Sequence, residues 1–138
     1  MKPLIIGYTT GVFDLFHIGH LNILKRAKEH CDYLIVGVST DELVQSYKNK
    51  TPVIPFHERI AIVDSIQYVD KVIAQEHRDK YKTWEELQYD VMFVGDDWKG
   101  SPLFDDLEAK FQKVGVNIIY FPYTGGVSST LVKEKLLT

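Results

Sequence analysis

Short apolar runs alternate along the chain with segments whose apolar residues recur every three or four positions, so strands and helices are expected in turn. LIIGYT, starting at Leu4, is a β-rich run that closes on Thr10 and Gly11. From Ile18 to His30 the residues Ile18, Leu21, Leu24 and Ala27 share one face of a helix. YLIVGVS (Tyr33 to Ser39) is apolar without interruption, as in a strand buried on both faces of a parallel sheet. ERIAIVDSI (Glu58 to Ile66) returns to helical spacing. KVIA (Lys71 to Ala74) predicts a third strand, followed by TWEEL, where Thr83 and Glu86 stand in capping-box relation. DVMFVGDDW (Asp90 to Trp98) reads as a strand running into a polar turn. Ser101 before Pro102 predicts a helix start, and Gly115 its end. VNIIYF gives a fifth strand, and VSSTLVKEKLL a last helix that opens on hydroxyl residues.

This alternation predicts an α/β fold: a mostly parallel five-stranded sheet with helices on both faces. In such sheets ligands gather at the carboxyl ends of the strands. GVFDLFHIGH follows strand one, STDELVQSYKNK strand two, GDDWKG strand four and YTGGVSST strand five, so four polar loops meet at that edge. The longest loop, Ser39 to Pro55, carries Lys48, Lys50 and two prolines, and its length suits a lid or binding loop.

Composition narrows the function classes. At 138 residues with 45% hydrophobic and 25% charged positions, the chain is sized for one domain, residues 1–138, with a real core. A net charge of −3 supplies no field for wrapping a polynucleotide, although a local phosphate site is compatible with it. Nucleic acid is therefore not an expected partner. The single cysteine, Cys31, has no partner for an internal disulfide or a zinc knuckle and fits a reducing compartment as a small packed side chain. MKPLIIGYTTG is apolar for too few residues to be a signal peptide or a membrane span, so the expected location is the cytoplasm, with no membrane partner.

The chemistry concentrates in GVFDLFHIGH. Gly11 lets a ligand approach the backbone, and the helix behind it offers unpaired N–H groups carrying partial positive charge. His17 and His20, three apart, point the same way and add donors toward the same anion, as attack on a phosphate requires. Two other readings of the pair stand beside this one. It could be two structural histidines, or half of a metal site, which would want three or four ligands where no third has suitable spacing.

GVFDLFHIGH resembles the HxGH signature of the nucleotidylyltransferase superfamily, and VSST resembles its second signature. Taken with GDDW and the compact length, the whole chain is most similar to the small cytidylyltransferases, in particular those that act on glycerol 3-phosphate. The resemblance implies a Rossmann-like fold, a homodimer, Mg2+ with the nucleotide, and transfer from CTP to a small phosphorylated alcohol with release of pyrophosphate. It further implies that His17 and His20 hold the α and β phosphates, and that Lys50 neutralises the triphosphate while Lys48 meets the acceptor phosphate. Gly11, Val12, Phe13, Asp14 and Gly19 would line the nucleotide, with Asp14 buttressing the turn. Asp96, Asp97 and Trp98 would shape the base end, and Gly126, Val127, Ser128, Ser129 and Thr130 would offer hydroxyls and a helix N-terminus. Lys80 and Lys82 lie where the family supplies an acceptor-binding lysine, and Arg59 would anchor its helix near the site. No protein ligand for the metal is named.

The bland readings remain beside these: solvated lysines, an acidic turn, a Trp packed at the sheet edge, Ser128 as a helix cap. His30, His57 and His77 read as surface or structural. Gln67 and Tyr123 stand where the family carries arginines. That departure keeps an ATP-using adenylyltransferase, and a nucleotide-binding sensor without turnover, as alternatives.

Overall fold

The computed structural model describes residues 4–122, so the expected last helix, Tyr123 and the segment Gly126 to Thr130 lie outside the described residues. In chain order the elements are β1 (Ile6–Gly11), α1 (Ile18–Glu29), β2 (Tyr33–Ser39), α2 (Asp41–Lys48), α3 (Phe56–Asp64), β3 (Lys71–Gln75), α4 (Lys80–Leu87), β4 (Val91–Gly95), a 3₁₀ turn (Asp96–Trp98), α5 (Pro102–Val114) and β5 (Asn117–Phe121). The five strands form one wholly parallel sheet in the order β3-β2-β1-β4-β5, the expected Rossmann-like arrangement.

Because successive strand residues face opposite ways, β2 feeds two cores. Leu34, Val36 and Val38 pack with Leu24 and Ala27 of α1 and Val63 of α3, while Ile35 faces Tyr8, Tyr89 and Met92 with Phe104, Leu107 and Phe111 of α5. The i, i+3, i+7 spacing of those three α5 residues is a helical stripe. At about 1.5–3 kcal/mol per buried side chain, it outweighs differences in helix propensity. Ser101 caps α5 by accepting a hydrogen bond from the Phe104 amide at 3.3 Å, Pro102 opens it, and Gly115 ends it at φ 78°, as the sequence predicts.

Three local expectations need correction. The stretch from Ser39 to Pro55 is not one long loop, since α2 occupies half of it; Thr40 caps that helix through the Leu43 amide at 3.1 Å, and Asp41 and Glu42 suit its first turn. Only Val44 of α2 is buried, which is why hydrophobic periodicity did not reveal it. The helix containing TWEEL starts earlier, at Lys80, with Asp79 as its cap, and Thr83 is buried inside it. Capping by Asp79 brings Tyr81 into the apolar face with Trp84, an advantage unavailable to a helix that began at Thr83. Helix α3 likewise begins at Phe56 rather than Glu58.

Topology then opens the cleft. Chain connections reverse between β1 and β4, and those strands share a register of only Gly7 with Val91 and Tyr8 with Met92. Beyond it the Thr9 hydroxyl donates to the Phe93 carbonyl at 2.9 Å, a side chain standing in for the missing ladder. Among the described residues no helix is long and apolar enough to cross a membrane.

Candidate active site

At the carboxyl ends of β1 and β4 lies a cavity of about 590 Å³. Gly11, Val12, Phe13, Asp14, His20, Lys48, Lys50, Lys80 and Trp98 line it, drawn from five separate stretches of sequence. His17, Gly19, Lys82, Asp96 and Asp97 do not. Lys82 is exposed on α4, and the two aspartates sit exposed on the 3₁₀ turn. Trp98 leans against Phe104 with ring centroids 5.5 Å apart.

Both histidines close the N-terminus of α1. His17, its N-cap, accepts the Gly19 amide on Nδ1 at 3.0 Å, and His20 accepts the His17 amide on Nδ1 at 3.2 Å. The arrangement is a capping box built from imidazoles. It also corrects the expectation of a bare helix end, because the Gly19 N–H is already engaged by the His17 ring. An Nδ1 that accepts must carry its lone pair, so each neutral ring bears its proton on Nε2 and keeps one donor for a ligand. The rings stack with centroids 4.0 Å apart, and His20 is flanked by Phe13 and Phe16. Burial, then the neighbouring His17, push the His20 pKa down to about 4 against an opposing pull from Asp14. Burial also lowers that of His17.

The sign of the pH effect follows. Unfolded His20 takes a proton near pH 6.5 and the folded one only near 4, so the folded state loses stability as pH falls through that window. A His20→Asn variant, whose Oδ1 can still accept the His17 amide, should show a smaller drop in melting temperature than the parent between pH 7 and about pH 4.5. Thermal melts across that range check it.

The turn before the helix is strained and held. Phe13 and Leu15 are non-glycine residues at φ 55° and 49°, a costly region for an L residue. Asp14, between them, accepts the amides of Val53 and Ile54 at 2.8 and 2.9 Å, so it clamps the loop after α2 rather than merely supporting its own turn. The turn folds the Phe13 ring back over Gly11, where a Cβ would lie 3.2 Å from it. Gly11 therefore makes room for Phe13 as well as for a ligand.

Arg59 is 1% exposed and holds the three loops together. Its guanidinium donates to the carbonyls of Ile54 at 2.8 Å, Val12 at 2.7 Å and Ser39 at 2.8 Å, and to the Asp41 carboxylate at 2.6 Å. Burial alone would raise the Asp41 pKa, but the hydrogen bonds from Arg59 and the Phe56 amide bring it below the ordinary value. The sequence suggested an anchor for α3; the structure shows a tie between β1, β2, α2 and the Lys50 loop.

Beside Lys80, the expected acceptor-binding residue at the start of α4, the loop after β3 contributes His77 and Arg78 to the cavity, residues not singled out as ligand-binding from the sequence. His77 is thus not a plain surface residue. Beneath it the Tyr8 hydroxyl donates to Gln75 Oε1, while Gln75 Nε2 donates to the His77 carbonyl at 2.6 Å and to Thr83 Oγ1 at 3.2 Å. Burial pushes the Tyr8 pKa up to about 12, so it remains a donor at neutral pH. Gly37 makes this possible, since a Cβ there would meet the Tyr8 hydroxyl at 2.6 Å. QEHRDK at a strand end, with two cations and a histidine, was the signal that could have flagged this loop. Gln67 is exposed and does not line the cavity. Among the described residues no three His, Cys, Asp or Glu side chains gather to hold a metal ion.

The family model for cytidylyltransferase-like proteins matches residues 8–135. The glycerol-3-phosphate cytidylyltransferase of Bacillus subtilis (strain 168) is 38% identical over 135 residues, covering 93% of this chain and 94% of that protein. Its counterpart in Staphylococcus aureus (strain NCTC 8325 / PS 47) is 40% identical over 129 residues, covering 93% and 92%. Among solved structures, the lipopolysaccharide core biosynthesis protein of Thermoplasma volcanium GSS1 superposes with a TM-score of 0.73 at 30% identity, covering 88% of this chain and 98% of that one.

Proposed function

Since this chain belongs to the cytidylyltransferase-like family of nucleotidyltransferase enzymes, we propose that it transfers the cytidylyl group of CTP to glycerol 3-phosphate. An oxygen of the acceptor phosphate attacks the α-phosphorus of CTP, the bond from that phosphorus to the β-phosphate oxygen breaks, and pyrophosphate leaves with the electron pair. CDP-glycerol and pyrophosphate are the products. The attacking oxygen is already anionic, so no base and no protein nucleophile are required. What the reaction needs is position and compensation of charge.

The observation that carries this reading is the imidazole capping box. Each neutral ring has its Nδ1 occupied by backbone and so keeps an Nε2–H donor; His20 lines the cavity, and His17 stands outside its lining, stacked on the His20 ring. Donors fixed before charge develops stabilise the transition state without reorganisation. Lys50 from the clamped loop and Lys48 beside it balance the phosphates, and the cleft between β1 and β4 takes the nucleotide. Magnesium belongs to the same proposal as a companion of the triphosphate. The described residues do not form a protein cage for it, and phosphate oxygens suit its preference for hard ligands. The homodimer implied by the family resemblance is part of the proposal as well.

The test is pyrophosphate release with magnesium, using CTP, ATP, UTP and GTP in turn against glycerol 3-phosphate and a panel of phosphorylated alcohols and sugars. Release with CTP and glycerol 3-phosphate is expected. Release only with ATP would move the donor to adenylyl transfer, and nucleotide binding without release under any combination would make the chain a sensor.

A further inference from the structure

Arg78 lines the cleft from the loop after β3, which the Tyr8, Gln75 and Thr83 hydrogen bonds hold in place. Its guanidinium lies 4.4 Å from the centroid of the Tyr47 ring, which belongs to α2, and the Lys48 ammonium lies 5.7 Å from the same ring. The Lys80 ammonium donates to the Arg78 carbonyl at 3.2 Å. Among the described residues no carboxylate forms an ion pair with Arg78, Lys48, Lys50 or Lys80. Four cations thus border one cavity, with Asp14 near Lys48 and Asp79 near Lys80 balancing only part of their charge. Partial burial, then Lys50 and Arg78, hold the Lys48 pKa below its usual value against an opposing pull from Asp14, and burial followed by Arg78 does the same for Lys80 against Asp79. A fold keeps such repulsion where an anion relieves it.

We infer that Arg78, laid on Tyr47, binds the phosphate dianion of the acceptor and is a specificity-determining residue of this enzyme. This rests on the transfer reaction proposed above and deepens it. A guanidinium presents paired N–H groups that match two oxygens of a phosphomonoester, a match that a lysine ammonium cannot reproduce. The contact with the Tyr47 ring restricts the guanidinium before ligand arrives, lowering the entropy lost on binding. Tyr47 acts as a positioning residue: it touches Arg78 and spans from α2 to the loop after β3. Arg78 then selects acceptors ending in a dianionic phosphate over those whose phosphate is a diester.

In Arg78→Gln the KM for glycerol 3-phosphate should rise about tenfold or more while the KM for CTP holds, and Arg78→Lys should fall between. Tyr47→Leu should raise the acceptor KM about threefold, and Tyr47→Phe, which keeps the ring face, should restore it. An unchanged acceptor KM in Arg78→Gln, or a rise confined to CTP, would overturn the assignment. A phosphorus NMR titration with inorganic phosphate reads the anion site without turnover, and weaker binding to Arg78→Gln than to the parent is expected. Equal binding would count against Arg78 even if no acceptor in the panel supported release. Failure of the transfer reaction and failure of this inference therefore give different results.

Discussion

His20→Asn is expected to lower the rate of pyrophosphate release by about two to three orders of magnitude while leaving the protein folded. The reason lies in which ring nitrogen does what. Nδ1 of His20 accepts the His17 amide, and an asparagine Oδ1 can occupy that position; the Nε2–H has no counterpart in the shorter side chain. Losing one prepositioned donor to a developing phosphate charge typically costs about 2.7–4 kcal/mol of barrier. His20→Ala should lose activity similarly and also about 1 kcal/mol of stability, because the cap goes with the ring. Comparing steady-state rates and melting temperatures of the two variants separates these roles. If His20→Asn kept a rate near that of the parent, the imidazole pair would be a structural cap and the mechanism would need another source of charge stabilisation.

Arg59→Met should produce the largest loss of stability of any single change considered. Methionine is similar in length and apolar, but it leaves the carbonyls of Val12, Ser39 and Ile54 and the Asp41 carboxylate without their shared donor. Breaking a fully buried ion pair by removing one partner costs about 3–5 kcal/mol; the Asp41 side chain is 31% exposed, but the three carbonyls that lose the same donor bring the loss back into that range. For a domain of this size that corresponds to a fall in melting temperature of roughly 10–20 °C. Arg59→Lys should recover only part of it, since one ammonium cannot reach four acceptors in a plane. The loss should extend to function: with Ile54 released, the loop carrying Lys50 keeps its ties to Asp14 and, through the Phe56 amide, to Asp41 but loses the one to Arg59, so the KM for CTP should rise in Arg59→Lys at a temperature where the variant is folded. Calorimetry and initial-rate kinetics at about 20 °C check both parts. A melting temperature within a degree or two of the parent would show that these loops do not depend on Arg59.

The kinds of elements and their order were legible in the sequence, for a physical reason. All five strands and the helices α1, α3 and α5 have apolar patterns long enough to register against their periods, and Ser101, Pro102 and Gly115 mark helix ends by backbone preference alone. GVFDLFHIGH could be picked out as a site because its glycine, its turn and its histidines are local in sequence, and the histidines share a helix end through near-neighbour geometry. Helix α2 was missed because it buries only Val44, and the start of α4 was misplaced because Asp79 competed with Thr83 as a cap. Tertiary structure decided the rest. Whether Asp14 supports its own turn or grips Val53 and Ile54, whether Arg59 serves one helix or three loops, and whether Arg78 faces solvent or a cleft all depend on which strands lie side by side. Strand order places the loop after β3 across from α2, and the reversal between β1 and β4 opens the cavity between them. Contacts between residues far apart in the chain arise from packing of the whole sheet, which no local period encodes.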